Sequence, residues 1–72
     1  MDRELLERQI IEFIKHHDNI VTIEDIRLMF REHRAQANGV FCRLIRKGKI
    51  IQNCIIEYVD GTIAKGWQLV EY

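Results

Sequence analysis

Apolar residues at Leu6, Ile10, Phe13 and Ile14 recur at intervals of three and four, a spacing that lines one face and predicts a helix over residues 2 to 17. Glu4 and Arg8, four apart, are set to pair on its outer side. The pattern ends at "HHDN", where Asn19 suits the left-handed conformation that closes helices. The β-branched "IVT" then predicts a brief strand. In "TIED", Thr22 stands three residues before Asp25, the arrangement in which a hydroxyl and a carboxylate satisfy the free amides at a helix start. A second helix follows, with Ile23, Ile26, Met29 and Phe30 on its core face and an end near His33. Leu28 falls on the opposite face, where a single exposed leucine is either ordinary or a partner contact.

A third helix is predicted over residues 35 to 47, with Ala37, Phe41, Leu44 and Ile45 on one stripe and Gly48 just beyond as its stop. At about 100° per residue, Gln36, Gly39, Arg43, Arg46 and Lys47 gather on the side away from that stripe. A glycine inside a helix costs about 1 kcal/mol relative to alanine, and close approach of another backbone, protein or nucleic acid, would explain Gly39. Beyond Gly48 the texture turns β-rich, as "KIIQNCIIEYV", "DG" and "TIAKGWQLVEY". Asp60-Gly61 predicts a tight hairpin that sets Cys54 opposite Trp67 and Ile51 opposite Val70, with Gly66 a candidate for a bulge. The order is helix, short strand, helix, helix, two-stranded hairpin: one α+β domain spanning residues 1 to 72.

Composition narrows the function classes. With 47% apolar and 31% charged residues, the chain belongs with globular proteins rather than disordered ones. No apolar run approaches the roughly 20 residues of a membrane helix, and the charged start "MDRELLER" is unlike a secretory signal, so a cytoplasmic protein is expected. Cys42 and Cys54 match neither a zinc ribbon nor a CxxC pair, and His16, His17 and His33 add no metal-binding spacing, so neither metal nor small-molecule cofactor is expected. The chain has no serine, no glycine-rich phosphate loop, and no acid pair with a histidine placed for proton transfer. A dyad of either cysteine with His33 is decided only in the fold; an enzyme is not expected.

Charge changes the picture most. The net charge of zero conceals −3 over residues 1 to 32, +5 over residues 33 to 50 and −2 over residues 51 to 72. Arg34, Arg43, Arg46, Lys47 and Lys49 supply the positive segment, with no acid among them, and their mutual repulsion makes a polyanion a natural partner.

Two short helices meeting at a compact turn and followed by a hairpin form the plan of a winged helix-turn-helix. "ANGVFCRLIRKGKII" places an aromatic two residues after Asn-Gly, a leucine three beyond it, and basic residues around Gly48 before a closing isoleucine; "AKGWQLV" adds a glycine and aromatic strand. On these stretches the chain resembles the small winged-helix DNA-binding proteins of phages, prophages and other mobile elements. The resemblance implies a double-stranded DNA-binding transcriptional regulator with its third helix in the major groove. Gln36 and Arg43 would read base edges, since glutamine pairs two-pronged with adenine and arginine with guanine. Gly39 would allow close approach, Arg46, Lys47 and Lys49 would hold phosphates, and Arg34 would meet one at the helix start. Thr62 and Lys65 are the polar candidates in the hairpin. A homodimer would present two third helices to half-sites about 34 Å apart. The chain departs from the pattern in having no proline before the third helix and a sparsely basic hairpin. The same scaffold also serves as a protein-binding adaptor, an alternative favoured by the acidic first helix and by Leu28.

Overall fold

The Asp2 carboxylate accepts the Glu4 amide at 3.1 Å and so caps the first helix, α1 (Arg3–His16). The structure is a computed structural model that describes residues 2–70. Leu6, Ile10 and Ile14 of α1 are fully buried, whereas Phe13 packs at the edge of the core. Glu4 and Arg8 form no ion pair among the described residues; the acidic partner used on this helix is Glu12, 3.8 Å from Lys15 and 3.9 Å from His16. The amides of His17 and Asn19 both return to the Ile14 carbonyl. Asp18 and Asn19 then take φ values of 57° and 62°, a left-handed pair where a single residue at Asn19 was expected. Short polar side chains tolerate that region best among non-glycine residues.

The chain next forms β1 (Ile20–Val21) and, after Thr22, α2 (Ile23–Met29). The expected cap is present in both directions: Thr22 Oγ1 accepts the Asp25 amide at 3.2 Å and Asp25 Oδ2 accepts the Thr22 amide at 2.9 Å. α2 is shorter than its apolar pattern suggests. The backbone leaves helical geometry at Phe30, and a 3₁₀ turn over Arg31–His33 takes the chain into α3 (Arg34–Arg46). Met29, expected on the core face, is 60% exposed: it lies about 60° around α2 from the buried Ile26 and lines the outer groove with Phe13 and Phe30. α3 buries Ala37, Phe41 and Leu44 as its stripe predicts, and also Val40, which widens the stripe toward α1. Ile45 is only half-buried. Gly48, at φ 72°, closes the helix, with its amide on the Ile45 carbonyl and the Lys49 amide on the Leu44 carbonyl, each at 3.0 Å.

Two long strands, β2 (Ile50–Glu57) and β3 (Ile63–Leu69), complete a three-stranded antiparallel sheet in the order β1-β3-β2. The hairpin differs from the expected two-residue turn. Its loop is residues 59–61: the Gly61 amide reaches the Tyr58 carbonyl at 2.9 Å, the Tyr58 amide reaches the Thr62 carbonyl at 2.8 Å, and Gly61 sits at φ 89°. This is a three-residue loop with glycine in the left-handed position. The register shifts accordingly. Cys54 faces Gly66 rather than Trp67, and Ile51 faces Gln68 rather than Val70, with a further slip between Gln52 and Cys54. The bulge thus lies opposite the glycine, on the other strand. A Cβ on Gly66 would come within 2.6 Å of Cys54 Sγ, so any larger residue there has to displace that thiol.

The core lies where the three helices meet the base of the sheet, with Val21, Ile50 and Leu69 joining the helical side chains and Trp67 packing edge-on to Phe41 at 6.1 Å between ring centroids. Phe41 sits inward as its stripe predicts, and Trp67 is half-buried against it. A 72-residue domain is expected to hold about 4–11 kcal/mol in total, so truncating Phe41, at about 3–5 kcal/mol, removes much of it. Among the described residues no helix is long and apolar enough to cross a membrane.

Candidate nucleic-acid interface

The core stripe of α3 leaves its opposite side outward, and the expected basic ridge forms there. Gln36, Arg43, Arg46 and Lys47 are exposed, as is Gly39. Gln36 and Arg46 lie ten residues apart, about 15 Å along the axis, with Arg43 between them in height. Among the described residues neither Arg43 nor Arg46 has a carboxylate partner, while elsewhere Glu24 takes Arg27 at 2.7 Å and Glu12 takes Lys15. A Cβ built on Gly39 meets nothing within 4 Å, so no contact within the fold calls for glycine at this place in the helix.

The ridge is flanked by two grooves of different chemistry. Between α3 and α1 lies a groove of about 310 Å³ lined by Arg3, Gln36, Gly39, Arg43 and Arg46, with Leu6 and Val40 on its apolar floor and no carboxylate in its wall. Between α3 and the hairpin lies another, of about 540 Å³, lined by Asn38, Cys42 and Ile45 on one side and by Ile63, Lys65 and Trp67 on the other, with Glu24 and Arg27 at its end. Asn38 lies a full turn inside α3 and faces this second groove. Arg3 was not among the residues expected at the site. It stands three residues before the core residue Leu6, and that spacing already puts it on the side of α1 that faces the rest of the fold.

The other expected residues are placed as follows. Arg34 opens α3 but lies about 120° around the helix from Arg46, off the ridge. Lys47 caps the end of α3 and turns back to α1, where its Nζ is 3.9 Å from Glu7 Oε1. That oxygen is buried and accepts no hydrogen bond, so Lys47 is the cation nearest a carboxylate in need of one. Lys49 is half-buried and its backbone is engaged on both sides, with its carbonyl accepting the Val70 amide at 2.8 Å. Thr62 is committed within the hairpin: its hydroxyl donates to Asp60 Oδ1 at 2.7 Å and its amide to the same oxygen at 3.0 Å. These two hydrogen bonds, the hydroxyl's first, hold the Asp60 carboxyl below its ordinary value of 3.8. Lys65 is exposed and faces α3 across the second groove. Cys42 and Cys54 are free thiols.

A third surface is apolar. Phe13, Met29 and Phe30 line a shallow groove at the outer junction of α1 and α2, with Leu28, 67% exposed, beside it. Phe13 and Phe30 meet there edge to face at 6.1 Å.

No protein family, curated protein or solved structure matches this chain.

Proposed function

We propose that the chain is a winged helix-turn-helix of the kind carried by phages and mobile elements, and that it binds double-stranded DNA with α3 in the major groove as a transcriptional regulator. The observation that carries this reading is the pair Arg43 and Arg46, exposed on one side of α3 and without carboxylate partners among the described residues. A guanidinium ridge left unneutralised in a chain of zero net charge is a surface suited to a polyanion. Gln36 and Arg43 are the base-reading candidates; Arg46, with Arg34 and Lys49 at the ends of the segment, serves phosphates. Lys47 serves DNA only after leaving Glu7. In the hairpin, Lys65 is the better candidate, since Thr62 has its hydroxyl proton on Asp60. A two-fold dimer would set two α3 helices on half-sites about one turn apart.

The alternative, a protein-binding adaptor, draws on the apolar groove of Phe13, Met29 and Phe30 with Leu28 at its rim. One experiment separates them. Binding to mixed-sequence duplex DNA, followed by fluorescence anisotropy over a salt series, should weaken with a log-log slope of about −3 to −4.5 for about three to five phosphate contacts. Arg43→Ala with Arg46→Ala should flatten that slope with helicity intact. Undetectable binding at low salt, or a double variant that binds like the parent, gives the adaptor reading the field.

A further inference from the structure

We infer that Arg3, on the first helix, closes with Arg46 on one phosphodiester of the DNA backbone while Arg43 beside them reaches the bases, so that a strand runs along the α1 side of α3. This rests on the DNA-binding reading and adds to it a second element and a direction for the DNA.

Three guanidinium side chains from two helices line a single concavity. Folding brings these like charges together, and among the described residues none of the three meets a carboxylate there. Of the acids near Arg3, Asp2 caps α1 through the Glu4 amide, Glu7 faces Lys47, and the exposed Glu4 does not line the groove. Asp2 already accepts the Glu4 amide at the helix start, and the groove is lined by side chains rather than by the α1 terminus. Planar guanidinium forks match phosphate oxygens two at a time, which lysine does not. The groove, at about 310 Å³, is roughly ten times the liquid volume of a water molecule, and Gly39 opens its wall where a side chain would otherwise project. The opposite flank of α3 lacks these features. Its groove includes Glu24, and the hairpin beyond it carries Glu57 and Asp60 against one lysine, Lys65. A phosphate chain is attracted more strongly to the first side, which holds three cations, than to the second, where Arg27 is already paired with Glu24 and Lys65 stands alone.

The test compares Arg3→Ala with Arg8→Ala. Both remove one positive charge from α1, but Arg8 lines the apolar groove on the other side of that helix. Anisotropy on mixed-sequence duplex, across a salt series, should show Arg3→Ala binding about tenfold more weakly, the size expected for losing one charge-assisted contact. The slope should fall in magnitude by about 0.9, one phosphate's worth. Arg8→Ala should stay within about twofold of the parent, and Arg3→Lys should restore the slope with only part of the affinity. Thermal melts of the variants check that each folds. Equal losses in Arg3→Ala and Arg8→Ala, or no loss in Arg3→Ala, overturn the inference while DNA binding by the parent upholds the broader reading. A parent that does not bind duplex overturns both.

Discussion

Replacing Gly39 by alanine is expected to stabilise the fold and weaken DNA binding in the same protein. The position lies inside α3, with helical residues on both sides, where glycine costs about 1 kcal/mol relative to alanine in lost backbone freedom. The added Cβ would meet no atom within 4 Å, so nothing in the fold offsets that gain. For a domain of this size, about 1 kcal/mol corresponds to a rise of roughly 4–8 °C in melting temperature, readily measured by circular dichroism. The same methyl projects into the arginine-lined groove. If a DNA strand packs closely there, the forced displacement resembles overpacking in a filled interior, about 1–3 kcal/mol, or roughly 5- to 150-fold in affinity. A variant that melts higher and binds duplex as well as the parent would refute the role of Gly39 as clearance for a ligand. A variant that melts lower would refute the packing argument itself. The opposed signs separate the two, because general damage to the fold lowers both quantities together.

Other perturbations test other parts of the structure. Thr22→Ala removes a reciprocal cap at the start of α2 and should lower stability by about 1 kcal/mol in denaturant unfolding; an unchanged midpoint would show that the cap contributes nothing net. Glu7→Gln frees Lys47 and removes a negative charge beside the ridge, so duplex affinity should rise and the salt slope steepen by up to about 0.9; unchanged binding would show that Lys47 never reaches DNA. The Asp60 carboxyl is held below 3.8 by Thr62, so its stabilising contribution to the hairpin is present above the unfolded value and is lost as pH falls through the folded one. A nuclear magnetic resonance titration of the Thr62 amide should therefore show a midpoint below 3.8, and Thr62→Ala should bring the Asp60 midpoint back toward that value; a parent midpoint at or above it would contradict the geometry.

Local patterns in the chain determined the elements. The three-and-four spacing of Leu6, Ile10 and Ile14, the Thr22 and Asp25 pair, and the Asp60-Gly61 step each act within a few residues, so each is readable without knowing what lies across the fold. The outward side of α3 was legible for the same reason: a helix with one apolar stripe has one place for its polar residues. Tertiary contacts decided the rest. The hairpin register sets Cys54 over Gly66, a pairing between two strands that neither strand encodes alone. Met29 is left in the outer groove beside Phe13, and Arg3 entered the basic groove because α1 and α3 pack side by side. Lys47 reads as one more cation in the positive run, but across that helix pair lies Glu7, and a charge is neutralised by whatever the fold places within a few ångströms of it.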